Sequence, residues 1–362
     1  MNNSEPNKLG TARPTGTSDI NEGRGGQKCR IVVDAMGGDF APRNAVVGAV
    51  QAYNESKKFD LFLVGKEKAI KEVLSSENIS FDDNFIINAE EVIEMGESPT
   101  TSLKAKPNSS IVKGAMLVRE KKADAFVSAG NTGAMMAAST LIIGRIPGVG
   151  RPTIGALMPN AKGICTLFDV GASVDSKPKH ILEYAIIGSI YTREIYGIEN
   201  PKIGILSVGE EESKGNEISL AAYELIRNTN LNFIGNVEGR DILNGDVNVV
   251  VCDGFIGNIL IKFGEGVLTF LKFKFKDYAS AGFFNKLKIG LLKGALKGIL
   301  KDFDYQEHGG VPLLGVNGIS IVGHGSSSPK AFRNMVLRAN EMYEKNLVAK
   351  IESSIKKYSS LT

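Results

Sequence analysis

The chain has 362 residues, 43% of them hydrophobic and 23% charged, which is enough for one large α/β domain or two smaller ones. The formal net charge of +3 is too small to indicate nucleic acid binding. We expect neither a membrane-spanning segment nor a signal peptide, because no apolar run reaches bilayer length and the first residues lack an apolar centre. Three cysteines without metal-ligand spacing favour a reduced, cytosolic protein: Cys29, Cys165 and Cys252.

In chain order, the sequence predicts an extension, one folded unit and a tail. Residues 1–28 are polar and without periodicity, so we expect a disordered N-terminal extension. Residues 29–350 alternate strand-like and helix-like segments and should form a single α/β domain, and residues 351–362 remain as a C-terminal tail. The expected strands are 29–33, 61–65, 85–87, 125–127, 153–158, 163–170, 202–208, 247–252 and 318–322. Such alternation predicts a three-layer α/β/α fold with a largely parallel central sheet.

Six of the expected strands end in loops that combine Gly with Asn, Asp, Lys, Ser or His. The carboxyl ends of parallel strands meet at one edge of a sheet, and α/β proteins bind ligands there. A single Gly-rich turn says little, but six on one edge are hard to explain by turn chemistry alone. The six loops cover residues 34–39, 128–133, 169–175, 209–216, 253–258 and 323–328.

The loop after the apolar segment 125–127 is SAGNTG, and a small, apolar, helix-length segment follows it. Glycine lets backbone N–H groups approach a ligand closely, and a helix N-terminus offers unpaired donors and partial positive charge. We interpret Asn131, Thr132 and Gly133 as a cradle for an anion, most naturally phosphate. Taken alone, an ordinary turn between strand and helix would explain the same residues.

Two further loops carry groups suited to electrostatic or acid–base chemistry. Lys214 lies in an acidic loop beside Asn216, and we interpret it as a cation that holds the anion; the alternative is a solvated charge. His324 lies between glycines at a strand end, and we interpret it as a hydrogen-bond donor, although a lone histidine is more often structural. Three further residues of these loops are candidate phosphate or substrate contacts: Asn216, Gly325 and Ser326.

More than one role is open to the polar residues of the loop at 253–258. Asp253 could orient His324 or Lys214, and Asn258 could bind substrate, although a helix cap is its more natural role. Cys252 is an alternative nucleophile, because acyl transfer can pass through an acyl-cysteine. Its position at the end of an apolar strand favours a small buried thiol instead.

Residues 262–304 break the alternation and predict an amphipathic helical insertion. The segment 290–301, GLLKGALKGILK, repeats every four residues. On a helix, one side therefore carries Lys293 and Lys297 and the other Leu292 and Leu296. This pattern fits an interfacial helix on an anionic membrane. Packing against a partner subunit or the parent domain explains it equally well, and a dimer arm with a membrane-touching tip satisfies both.

Several motifs occur together in one order. They are DAMGGD at 34–39, SAGNTGA at 128–134, GEEESKGNE at 209–217, VCDGFIGN at 251–258 and NGISIVGHGS at 317–326. The ordered set resembles the PlsX phosphate acyltransferases of bacterial phospholipid synthesis, and the similarity runs from about Arg30 to the last helix. One departure is visible: Ser173 stands where the family usually has Asn.

The resemblance implies transfer of a long-chain fatty acyl group from acyl carrier protein to inorganic phosphate, giving acyl phosphate for phosphatidic acid synthesis. A membrane glycerol 3-phosphate acyltransferase would use that product. The resemblance also implies a homodimer with a fold like those of phosphotransacetylases and isopropylmalate dehydrogenases. It places the protein in the cytoplasm, peripherally associated with the inner face of the cell membrane. We expect no metal and no cofactor.

For this reaction the expected catalytic residues are Lys214, His324 and Asp253. Phosphate dianion is already a nucleophile, so positioning should matter more than a strong base. An acidic acyl carrier protein requires a basic patch. Lys104 and Lys106 could supply it from the polar segment 90–107, which we expect to form a long loop, and so could the lysines of the insertion. Three rival functions remain: a phosphotransacetylase acting on acyl-coenzyme A, a nicotinamide-dependent dehydrogenase without a persuasive dinucleotide fingerprint, and a non-enzymatic membrane scaffold.

Overall fold

The computed structural model describes residues 27–299, 303 and 305–358, so residues 1–26 of the expected N-terminal extension lie outside the described residues. The strands form two sheets. The first contains β1 (Cys29–Asp34), β2 (Phe59–Gly65), β3 (Ile86–Asn88), β4 (Ala125–Ser128), β5 (Thr153–Ile154), β11 (Val311–Leu314) and β12 (Ile319–Val322). The second contains β6 (Ala156–Asn160), β7 (Gly163–Phe168), β8 (Ile203–Leu206), β9 (Phe233–Val237) and β10 (Val249–Val251).

The first sheet has the order β3-β2-β1-β4-β12-β11-β5, and the second β6-β7-β10-β8-β9. All neighbouring strands are parallel except those that involve β11, β5 and β6. The helices are α1 (Arg43–Ser56), α2 (Glu67–Ser76), α3 (Pro99–Ala105), α4 (Ser110–Arg119), α5 (Thr132–Ala138), α6 (Pro178–Tyr196), α7 (Glu217–Arg227), α8 (Asp241–Asn244), α9 (Gly254–Ser280), α10 (Phe283–Ile299), α11 (Pro329–Glu344) and α12 (Leu347–Tyr358). A π-helical turn, Ser139–Ile143, continues α5.

Helices cover both faces of the sheets. Successive strand residues point to opposite faces, so Ile31 and Val33 of β1 pack with α1 and α11, whereas Val32 packs with α4 and α5. In the second sheet, Val249 and Val251 face α6 and α7, while Val250 faces α8 and α9. The predicted three-layer α/β/α class with largely parallel pairing is therefore confirmed.

Three details differ from the sequence-based prediction. The strands divide between two sheets, so the six Gly-rich loops form two groups of three instead of one row. The segment 90–107, expected as a loop, contains α3, and β9 and β11 were not predicted. Residues 351–358, expected in a tail, belong to α12 and bury Ile351 and Ile355 in the core; residues 359–362 lie outside the description.

The chain passes from the first sheet to the second at Gly155, the single residue between β5 and β6. A Cβ atom there would lie 2.1 Å from Cε1 of Phe168, so only glycine fits. Beside this junction, the carboxylate of Asp169 accepts hydrogen bonds from the Ile154 N–H (2.9 Å) and the Thr153 hydroxyl (3.3 Å). Asp169 therefore ties the end of β7 to β5, in the other sheet.

The predicted insertion is a helical hairpin made of α9 and α10, which pack against each other. It begins earlier than predicted, at Gly254, and residues 300–302 and 304 of the predicted segment lie outside the description. Contrary to expectation, α9 is long and apolar enough to cross a membrane by length and composition, and only 11% of its most apolar stretch is buried. Large apolar side chains are exposed along both helices, among them Phe263, Phe270, Phe273, Phe283, Phe284 and Leu291.

Candidate active site

Three of the Gly-rich loops meet at the carboxyl edge of the first sheet, because β1, β4 and β12 are neighbours there. The backbone N–H of Asp39 donates to the carbonyl of Gly325 (2.8 Å). A Cβ atom at Gly37 would lie 2.7 Å from the backbone nitrogen of Gly130, and Gly38 has a φ of +103°, which glycine adopts readily. Glycine is therefore required here for close approach between the loops.

A buried carboxylate stiffens the junction between the first two of these loops. Asp34 accepts hydrogen bonds from the Ser128 hydroxyl (2.7 Å) and the Met36 N–H (2.9 Å). The same hydroxyl accepts from the N–H of Gly130 (3.0 Å). Burial raises the pKa of Asp34, and these hydrogen bonds oppose that rise. The network fixes the backbone that leads into the SAGNTG loop.

The side chain of Asn131 holds backbone groups of two segments. Its side-chain oxygen accepts from the Ala134 N–H (2.9 Å), which caps α5. Its amide donates to the carbonyls of Glu94 (3.0 Å), Met95 (3.1 Å) and Glu97 (3.0 Å). Because every polar atom of this buried side chain is engaged, Asn131 positions the loop at 94–97 over α5.

Thr132 and Gly133 are the first two residues of α5. The first N–H groups of a helix have no acceptor within it, and Thr132 is exposed. A Cβ atom at Gly133 would lie 2.5 Å from Cγ of Pro99, so the glycine admits α3 against the start of α5. The backbone here fits the predicted anion cradle.

His324 is exposed at the end of β12. Its Nδ1 accepts a hydrogen bond from the backbone N–H of Ser326 (3.2 Å) and lies 2.8 Å from the Ser326 hydroxyl oxygen. A backbone N–H can only donate, so Nδ1 carries no proton, and the neutral ring has its hydrogen on Nε2. The hydrogen bond from the Ser326 backbone N–H thus makes the neutral His324 side chain an Nε2–H donor. Ser326 positions the ring in this way.

The other three loops meet at the carboxyl edge of the second sheet, where β7, β10 and β8 are neighbours. The first turn of α9 packs directly on the loop after β7: a Cβ atom at Gly254 would lie 2.2 Å from the Ser173 carbonyl oxygen, and one at Gly257 1.9 Å from that of Asp169. Ser173, at the position of the family's Asn, is buried and donates from its hydroxyl to Asp175 (3.2 Å).

Asp253 orders the backbone at the start of α9, and Asn258 lies within that helix. The carboxylate of Asp253 caps α9 through the Phe255 N–H (2.8 Å) and accepts from the Ser176 N–H (3.0 Å), so it orders the backbone. Asn258 lies inside α9 and is not its cap; its amide nitrogen faces Gly171, where a Cβ atom would come within 2.6 Å. The cap prediction for Asn258 is wrong because the neighbouring aspartate already occupies that position.

Cys252 is buried, and its thiol donates to the carbonyl of Asp169 (3.5 Å). Burial, with the nearby carboxylates of Asp169 and Asp253, raises the pKa of this thiol well above its usual range. A thiol held protonated is a poor nucleophile. The geometry therefore disfavours an acyl-cysteine intermediate.

Lys214 and Asn216 lie in the exposed loop between β8 and α7. The side-chain oxygen of Asn216 accepts from the Ser219 N–H (2.9 Å) and caps α7. The carbonyl of Lys214 accepts from the Ser207 hydroxyl (3.2 Å) and the Asn236 amide (3.1 Å). The backbone at Lys214 is thus fixed, while the residue as a whole is exposed.

Two adjoining cavities connect these loops. The larger, about 790 Å³, is lined mainly by apolar residues and includes Thr132 and His324. The smaller, about 420 Å³, includes Asn216, Cys252 and Asp253. Three residues line both cavities, namely Gly239, Leu260 and Phe263. The first-sheet and second-sheet residues therefore line adjoining cavities. Lys214 is in the lining of neither cavity, whereas the two residues after it, Gly215 and Asn216, line the smaller one.

Two features of the site were missed from the sequence. The loop at 94–97 reaches Asn131, and Lys106 holds it by donating to the Val92 carbonyl (2.7 Å) and pairing with Glu97. This pairing lowers the pKa of Glu97 to about 2. His308 also lines the larger cavity. In the sequence, only the acid-rich composition of the loop around 94–97 pointed to the first feature. Nothing in the sequence pointed to His308.

Comparison with known proteins identifies the family of the chain. Residues 29–350 match the model of a family described as fatty acid synthesis protein. The chain is 48% identical over 326 residues to a phosphate acyltransferase of Pelotomaculum thermopropionicum, covering 90% of this chain and 95% of that protein. It is 44% identical over 330 residues to a phosphate acyltransferase of Halothermothrix orenii, covering 91% and 99%.

Among solved structures, a phosphotransacetylase from Streptococcus pyogenes is similar, with a TM-score of 0.60 and 21% identity over 88% of this chain and 95% of that one. This likeness shows the shared fold. The chain belongs to the fatty acid synthesis protein family, and it is an acyltransferase of the PlsX phosphate acyltransferase group, which transfers acyl groups to phosphate.

Proposed function

We propose that the protein transfers a long-chain fatty acyl group from acyl carrier protein to inorganic phosphate, giving acyl phosphate for phosphatidic acid synthesis. The observation that carries this proposal is the cavity of about 790 Å³, which has apolar walls and the polar groups of Thr132 and His324 in its lining. A long acyl chain needs an apolar slot, and its thioester needs polar groups beside it. Both requirements meet in one space.

In this proposal phosphate binds at the start of α5, against the N–H groups of Thr132 and Gly133, where the helix dipole favours negative charge. One phosphate oxygen attacks the thioester carbonyl. The Nε2–H of His324 donates a hydrogen bond to the developing oxyanion or to the departing sulfur, because its hydrogen points away from the bonded Nδ1 side. The C–S bond breaks, and acyl phosphate and the carrier thiol leave.

Lys214 supplies positive charge in this scheme. Its backbone carbonyl is held by Ser207 and Asn236, and the two residues after it, Gly215 and Asn216, line the smaller cavity. Asn216 and Asp253 cap α7 and α9. They act as positioning residues for the second-sheet half of the site, and Asn258 stays a candidate substrate contact at Gly171.

Lys104 is the better candidate of two lysines for contact with acyl carrier protein. It is exposed on α3, whereas the amine of Lys106 is held by Glu97 within the loop. An acidic partner would approach this side electrostatically. The lysines of the hairpin are the alternative surface.

The exposed apolar hairpin supports a cytoplasmic enzyme that works as a homodimer at the inner face of the cell membrane. The first turn of α9 is buried in the folded body at Gly254 and Gly257, and α10 packs along α9. We therefore favour an interfacial position over a membrane-spanning one. Acyl phosphate, with its long chain, would be delivered there to a membrane glycerol 3-phosphate acyltransferase.

The donor distinguishes the proposed function from its nearest rival. Purified protein is incubated with phosphate and either hexadecanoyl-acyl carrier protein or hexadecanoyl-coenzyme A, and acyl phosphate is measured. We expect a kcat/KM at least tenfold higher with the carrier protein. Equal or better turnover of the coenzyme A thioester would instead indicate a phosphotransacetylase, and no product from either would contradict the function.

The membrane proposal predicts the behaviour of a hairpin variant in liposome flotation. Leu292 is 53% exposed on α10, and Leu296 is half-buried on the same helix. The double variant Leu292→Glu, Leu296→Glu should lose most binding to anionic vesicles, because it places negative charge on the apolar face. The lysines beside these positions, Lys293 and Lys297, should make the wild-type binding weaken in high salt; the side chain of Lys297 lies outside the described residues. Unchanged flotation of the double variant would rule out this attachment.

A further inference from the structure

The larger cavity follows one side of α9. Residues that line it recur at helical spacing, at Leu260, Gly264, Leu268 and Leu271. At about 1.5 Å per residue, the stretch from Leu260 to Leu271 is roughly 16 Å long. An alkyl chain advances roughly 1.3 Å per carbon, given C–C bonds of about 1.5 Å in a tetrahedral zigzag. This side of α9 can therefore accompany about twelve carbons.

Gly264 leaves an opening in that wall. A Cβ atom at Gly264 would meet a single described neighbour within 4 Å, Cε of Met158 across the cavity, at 3.7 Å. Its position in a helix interior is unfavourable for glycine, which loses backbone entropy there. A larger side chain would fit without backbone collision and would project into the cavity.

We propose that Gly264 sets the length of acyl chain that the enzyme accepts. The absent side chain keeps the middle of the cavity open, so that carbons beyond this point continue along α9 towards Leu268 and Leu271. This inference rests on the proposed function, because it takes the cavity to be the acyl-chain site. It adds that one helix position decides chain length.

The test compares two glycines of α9. Gly264→Leu fills the cavity, whereas Gly266→Leu adds the same side chain at an exposed position where no described heavy atom lies within 4 Å of the added Cβ. Both changes favour the helix, so both variants should fold. Acyl phosphate formation is measured with octanoyl-, dodecanoyl- and hexadecanoyl-acyl carrier protein.

We expect Gly264→Leu to lower kcat/KM for the hexadecanoyl donor at least tenfold and to leave the octanoyl donor within about threefold. Gly264→Ala should fall between wild type and Gly264→Leu, and Gly266→Leu should keep the wild-type profile. An unchanged ratio of long to short donors in Gly264→Leu, or an equal shift in Gly266→Leu, would overturn the inference while the proposed function stands. No acyl phosphate from wild type with any donor would instead remove the proposed function.

Discussion

His324→Ala should lower kcat by about 10² to 10³-fold, the usual effect of removing one hydrogen-bond donor from an acyl-transfer site. The side chain is exposed in the larger cavity, and its Nδ1 is held by Ser326. Because the ring is exposed at the end of a strand, its removal should change the chemistry and leave the fold intact. Acyl phosphate formation with saturating hexadecanoyl-acyl carrier protein measures the loss, and the melting temperature checks the fold.

His308 provides the matched control, since it lines the same cavity. His308→Ala should keep kcat within about threefold of wild type. Ser326→Ala removes the hydroxyl but keeps the backbone N–H that sets the tautomer, so its loss should be smaller than that of His324→Ala. A His324→Ala enzyme with near-normal kcat, or a His308→Ala enzyme with an equal loss, would contradict the assignment.

Lys214→Ala in the same assay separates charge from positioning. If the amine supplies positive charge to phosphate, the KM for phosphate should rise, and Lys214→Arg should restore part of it. The melting temperature should not move, because the contacts of Lys214 that hold the loop are made by its backbone. Unchanged phosphate kinetics would remove Lys214 from the site and leave it as a solvated loop charge.

Much of the fold could be predicted because the strands of both sheets are short apolar runs that end in Gly-rich turns. The two missed strands show the limit of such patterns. Phe233–Val237 contains Gly and Asn, and Val311–Leu314 contains Pro, and these residues are unfavourable in strands. Their pairing is set by neighbours distant in sequence. The division into two sheets has the same cause, because local periodicity does not say which strands pair.

The site was predicted at the level of loops better than at the level of side chains. Asn131 and Asp253 are correctly placed at loop ends, yet both side chains hold backbone groups. Asn and Asp after a strand suit a helix cap as well as a ligand contact, and the sequence does not show which donors lie nearby. The partners of the Asn131 amide come from a loop more than thirty residues away.

Among Gly→Ala substitutions in the helical hairpin, Gly257→Ala should cause the largest loss in the free energy of unfolding. The added Cβ would lie 1.9 Å from the Asp169 carbonyl oxygen and 3.1 Å from Sγ of Cys252. The nearest atom belongs to backbone, so no rotamer change relieves the contact, and α9 must move away from the loop after β7. We expect the free energy of unfolding to fall by roughly 3 kcal/mol or more, at or beyond the upper end of typical overpacking costs.

In contrast, we expect Gly266→Ala to maintain or raise the free energy of unfolding. No described heavy atom lies within 4 Å of a Cβ there, and alanine is favoured over glycine inside a helix by up to about 1 kcal/mol. Thermal unfolding of the two variants therefore tests whether α9 is anchored by its first turn: Gly257→Ala should melt roughly 5 °C or more below wild type, and Gly266→Ala at or above it. If both variants melted at the wild-type temperature, α9 would not depend on contact with Asp169. The packing of its first turn would then not explain why α9 stays attached to the folded body.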